Sequence, residues 1–139
     1  MTTLSIVASA SVNPTEDETK VERALHNIFP AASIQRTRDA DENLTLTVRG
    51  IGFEFLNTFR SLIKQDRIRA AARSILIRHA RGERIQVYLN KQAAFVGRIS
   101  FCEPVGESPL GPITIKVECS SPTMVIDWLA PNIQGNVNE

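Results

Sequence analysis

The densest chemistry in this chain is cationic. Arg60, Lys64, Arg67, Arg69, Arg73, Arg78, Arg81 and Arg84 share their stretch with only Asp66 and Glu83, a local charge of +6. The remaining eight cations face thirteen anions, so the net charge is +1 and any pull on a polyanion must be local. A guanidinium presents a planar fork of N–H donors that matches two phosphate oxygens at once. Arg67, Arg73, Arg78 and Arg81 are spaced to share the polar side of a helix, with Arg69 beside them and Ala70 and Ser74 between. Small residues at those positions let a phosphate backbone come close. The same spacing also fits a solvated helix face paired with acids such as Glu16, Asp17 and Glu18.

A second cluster lies in YLNKQAAFVG at 88–97, where Asn90, Lys91 and Gln92 follow a strand-like run. Three hydrogen-bonding side chains beside Ala93, Ala94 and Gly97 fit a binding loop held by a sheet, and equally a plain strand-to-strand connection. Catalytic and metal chemistry find no comparable footing. The one ligand-type residue four positions from His79 is Glu83, past the Gly82 that ends the helix, and His26 is distant in sequence. Cys102 and Cys119 form neither a C-x-x-C pair nor a disulfide framework, which points to a reducing compartment. Gly50-Ile51-Gly52 is too short for a phosphate loop, and no Ser/His/Asp or paired-carboxylate signature occurs. The expectation is a protein that is not an enzyme and takes no cofactor or metal.

These residues need elements to hold them. Leu4, Ile6, Ala8, Ala10 and Val12 alternate with polar residues, as a half-buried strand does. Thr15 and Glu18 read as a capping box for a helix whose stripe is Val21, Ala24, Leu25, Ile28 and Phe29, stopped by Pro30. Strands are expected around 33–38 and 44–49, with Asp39–Asn43 as their turn. The stripe Phe55, Leu56, Phe59, Leu62, Ile63 points about half a turn away from the stripe Ile68, Ala72, Ile75, Leu76, His79. Two helices are therefore expected, broken at Gln65-Asp66, with Asp66 capping the second and Gly82 ending it. Strands at 85–89, 98–101 and 113–117 follow, and SPLGPI at 108–113 makes a turn. Ser121-Pro122 starts a last helix that Pro131 ends.

The order β-α-β-β-α-α-β-β-β-α predicts an α+β fold, a mixed sheet with helices on one face. Residues 1–131 form one domain and 132–139 a frayed tail. The apolar run Leu4–Ala8 is too short for a signal peptide, and no run approaches the ~20 apolar residues of a membrane span. A cytoplasmic protein is expected, away from membranes.

The segments NPTEDE (13–18), QDRIRAAARSILIR (65–78), YLNKQAAFVG (88–97), SPLGPI (108–113) and IDWLAP (126–131) occur in that order. Together they resemble an archaeal family whose members are predicted to bind RNA or to associate with the exosome. That family is similar in fold to the large-subunit ribosomal protein that binds 5S ribosomal RNA. The resemblance implies RNA as partner, RNA-processing proteins beside it, and no catalytic residue. It places contacts at Arg67, Arg69, Arg73, Asn90, Lys91 and Gln92, to which the basic stretch adds Arg78 and Arg81. The competing reading is a protein-interaction module of an RNA-processing complex that does not touch RNA. A homodimer through the polar sheet face of Tyr88, Arg98 and Lys116, or through a sheet edge, is also expected.

Overall fold

The computed structural model describes residues 4–103 and 111–132. Its elements run β1 (Ser5–Val12), α1 (Glu18–Ile28), β2 (Gln35–Arg38), β3 (Leu44–Ile51), α2 (Asn57–Gln65), α3 (Arg69–Arg78), β4 (Ala80–Arg81), β5 (Arg84–Leu89), α4 (Lys91–Phe95), β6 (Ile113–Glu118) and α5 (Pro122–Leu129). A single 3-10 turn at Phe53–Leu56 leads into α2. The strands form one six-stranded sheet in the order β2-β3-β1-β6-β5-β4. Every ladder is antiparallel rather than mixed. The α+β class stands, with the helices gathered on one sheet face.

Alternation decides which face that is. Ile6, Ala8 and Ala10 of β1 are buried, as are Leu44, Leu46 and Val48 of β3, Ile85, Val87 and Leu89 of β5, and Ile113, Ile115 and Val117 of β6. Against them lie Leu25 and Ile28 from α1 and Phe29 at its C-cap, Phe59 and Ile63 from α2, Leu76 from α3 and Leu129 from α5. Each large aliphatic side chain so buried contributes about 1.5–3 kcal/mol. No described residue on the opposite sheet face is buried. That face is open.

The expected break between the two middle helices is present, and its geometry is specific. Ile68 N–H donates to Ile63 carbonyl oxygen and Arg67 N–H to Lys64 carbonyl oxygen. This is the paired 6→1 and 5→2 closure of a Schellman motif, with Arg67 at the left-handed C′ position, φ 58°. Asp66 does not cap α3. Its carboxylate accepts from Ile99 N–H and faces Arg98 instead. The cap of α1 is Asp17 rather than Thr15: its carboxylate accepts from Thr19 N–H, and Glu18 pairs with Arg36 instead of closing a capping box. Helix α3 stops at Arg78, His79 takes its C-cap, and Gly82 serves the β4–β5 turn at φ 59°.

The expected strand at 98–101 is reduced to one bridge, Leu89 to Phe101, because α4 takes up the chain after β5. That bridge and β4 close the outer edge of β5 at its two ends. At the other side of the sheet β2 is four residues long, fully exposed, and carries Arg36 and Arg38. The turn at 108–113 and the tail beyond Asn132 lie largely outside the described residues.

Gly50, on the covered face of β3 opposite Ile6, lets the Phe55 ring lie against the backbone. A Cβ at Gly50 would come within 2.1 Å of that ring, which also stacks on Phe29 at 5.0 Å and 14°. Gly50→Ala should therefore destabilise the fold by about 1–3 kcal/mol, the usual range for overpacking, read as a lower urea midpoint at unchanged slope.

Candidate nucleic-acid interface

The basic stretch divides into arginines that hold the fold and arginines that face water. Arg60 donates to Trp128 carbonyl oxygen at 2.8 Å and lies over the Trp128 ring at 4.9 Å. Arg73 pairs with Asp127 at 2.8 Å and donates to Ala130 carbonyl oxygen. Both tie the middle helices to α5. Arg81 donates to the carbonyls of Arg78 and Ala80, satisfying acceptors that the end of α3 leaves open. Arg84 pairs with Glu118 across the β5–β6 ladder.

Three of the predicted arginines remain. Arg67 and Arg78 are exposed and Arg69 is half-buried, and among the described residues none of their side chains has a hydrogen-bond or ionic partner. Arg67 stands at the elbow before α3 and Arg78 is that helix's last residue, with exposed Ala70, Ala71 and Ser74 between them. From Arg69 to Arg78 the helix rises about 14 Å. The result is a face of small residues edged by cations, with the exposed Ile77 at its side.

The second cluster is corrected by the structure. Asn90 is the N-cap of α4, its side-chain oxygen accepting from Ala93 N–H at 2.9 Å. Lys91 is buried: its ammonium donates to Ser11 carbonyl oxygen and to Glu16 at 2.9 Å, with side chains only 5% and 9% exposed. Of the three, only Gln92 is exposed. The sequence signal for this was present, since Asn before a short Ala-containing run is an N-cap pattern. Arg98 likewise leaves the sheet face, turning to Asp66 at 3.4 Å. His79 is a half-buried helix end whose ring meets Tyr88 edge-on at 6.5 Å, not a residue inside the helical stripe.

The open sheet face adds residues that sequence reasoning did not align. Arg49, Val7, Lys116 and Gln86 stand side by side in one row across four strands. The next row holds Gln35, Thr47, Ser9, Thr114 and Tyr88. Arg49 and Lys116 are exposed, about 10 Å apart at two strand spacings, with no carboxylate partner among the described residues. Period-two alternation tells which side each residue takes. Only the strand order tells which residues are neighbours.

Nothing among the described residues gathers three metal-ligating side chains. Burial pushes the Cys119 thiol above its ordinary range, which disfavours the nucleophilic thiolate. No helix of the described residues is long and apolar enough to cross a membrane.

Comparison with known proteins gives this arrangement a context. A family model described as RNA binding matches residues 5–119. A UPF0201 protein of Pyrobaculum aerophilum is 42% identical over 92% of this chain and 90% of its own length. One from Sulfolobus acidocaldarius is 36% identical over 91% and 86%. The crystal structure of a UPF0201 protein from Methanococcus jannaschii superposes with a TM-score of 0.81 at 28% identity, covering 92% of this chain and 93% of that one.

The buried pair makes a separable prediction. Burial raises the Glu16 carboxyl, but the Asn13 N–H and amide and the Lys91 ammonium outweigh it, leaving the group below its ordinary 4.5. A carboxyl depressed by folding stabilises the fold above that ordinary value and loses its contribution as pH falls through the folded value. Lys91→Met should cost about 3–5 kcal/mol by stranding the carboxylate. That cost should shrink as pH falls and the stranded carboxyl takes up a proton, so urea titrations between about pH 7 and 3 should show the gap between parent and variant narrowing.

Proposed function

This chain belongs to the UPF0201 family and to the RNA-binding family whose model spans residues 5–119, and on that footing we propose that it binds RNA without catalysing a reaction. We infer further that it serves as an accessory in RNA processing. The phosphate contacts in this reading are Arg67, Arg69 and Arg78, and Gln92 is the one residue of the 90–92 segment available to join them. Arg73 and Arg81 act behind them by fixing α3 against α5 and closing its end.

The observation that carries the proposal is Arg67. A side chain in the left-handed region costs roughly 1–2 kcal/mol, and glycine is the residue that ordinarily closes a Schellman turn. Here that place holds a charged, exposed side chain with no partner among the described residues. Strain kept at a site that gains no internal contact fits an external ligand. The uncharged Ala70, Ala71 and Ser74 beside it leave the helix backbone within reach of a phosphodiester chain.

Arg67→Gly should raise stability by up to about 1 kcal/mol while weakening RNA binding. With three contacts to a single strand, the slope of log affinity against log salt should be about −2 in the parent. Replacing Arg67, Arg69 and Arg78 together by Gln should flatten that slope and leave the fold intact. Fluorescence anisotropy on a mixed-sequence RNA oligonucleotide across a salt series measures both. Equal, salt-insensitive binding by parent and triple variant would refute these contacts.

A further inference from the structure

The connection from α1 to β2 and the strand β3 flank an open cleft of about 630 Å³ on the β2 side of the sheet. Ala32, Ile34 and Phe55 give it an apolar wall, and Gln35, Thr47 and Arg49 a polar rim. The rim residues are held by the ladder: Gln35 and Thr47 are register partners, and Arg49 follows two residues along β3 on the same open face. The wall is equally fixed. Phe55 lies where Gly50 has no Cβ and stacks on Phe29, so its half-buried ring is set before any ligand arrives. Arg49 is exposed and has no ionic partner among the described residues.

A rigid apolar wall, an amide and a hydroxyl on the rim, and an exposed guanidinium at the mouth together match one chemistry. They suit a planar heterocycle carrying hydrogen-bonding edges and linked to a phosphate. We propose that this cleft receives one unpaired nucleotide of single-stranded RNA. Its base enters the notch where β2 parts from β3, between Ile34 and the edge of the Phe55 ring, and its phosphate meets Arg49 on the open face. The assignment rests on the RNA-binding reading above and adds the form of RNA. Duplex RNA keeps its bases stacked inside a helix, whereas a single strand can splay one outward into a cleft.

The test uses the full chain and a 4-thiouridine-containing RNA dodecamer, single-stranded or annealed to its complement. Photo-cross-links should map to residues 31–35 or 47–55, and the single strand should bind at least about tenfold more tightly than the duplex. Ala31 is exposed on the cleft wall, so Ala31→Trp fills the space without adding charge. It should weaken single-strand binding about tenfold, and Arg49→Gln about fivefold, with unchanged thermal unfolding in both. Parent-like affinity in both variants, with cross-links confined to 67–78, would overturn the cleft assignment and leave the arginine contacts standing. A parent that binds no RNA would refute the functional reading and this inference with it. Free AMP binding more tightly than the oligonucleotide would make the cleft a small-molecule site. Variants that split a dimer without changing RNA affinity would make it a protein interface. Either result overturns the proposal.

Discussion

The structure hangs on β1, a central strand that pairs along its whole length with β3 on one side and over Ser5–Ala10 with β6 on the other. Its alternation divides the molecule. Ile6, Ala8 and Ala10 face the helices, and two of the three are small enough for α1 to settle close to the sheet. Ser5, Val7, Ser9 and Ser11 face the other way. A slip of one residue in this strand would turn hydroxyls into the core and alanines into water, so the register is fixed from both sides. The covered face, the open face and the rows of side chains upon it all follow from that constraint.

Much of this was legible in the chain. The stripe Val21, Ala24, Leu25, Ile28 and Phe29 is buried as its spacing requires. The opposed stripes around Gln65 announced the elbow because a straight helix cannot bury two sides in turn. Ser121 and Pro122 start α5 as their types suggest. The failures have local causes. Ile99 and Phe101 alternate like a strand, but α4 and Gly97, at φ 79°, precede them and leave room for one bridge. Lys91 looked like a surface cation because nothing in sequence brings Glu16 within 2.9 Å of a residue 75 positions away. The neighbours of Arg49 were hidden for the same reason: strand order is a long-range property.

Charge density proved a poorer guide than charge commitment. Arg60, Arg73, Arg81 and Arg84 sit in the basic stretch yet satisfy carbonyls, a ring or a carboxylate of the same chain. Their guanidiniums staple the layers together where hydrocarbon alone would leave carbonyls at helix ends bare. What remains for an outside partner is a smaller set, distributed over the α3 face and the open sheet face. A ligand that met both would have to bend around the β4–β5 end of the sheet or contact the molecule in two stretches. A flexible polymer can do either, and a rigid rod can do neither.

The treatment of the sheet's rims has a consequence for life in a crowded solution. β5 presents little unpaired backbone among the described residues, since β4 and Phe101 occupy its two ends, and β2 is four residues long with arginines on it. Strand addition is the common route by which sheets recruit one another into fibres, and short or cationic borders resist it. Many copies threaded along one polyanion would be brought to high local concentration, where a long bare border would seed irreversible stacking. Borders as short and as cationic as these disfavour such stacking.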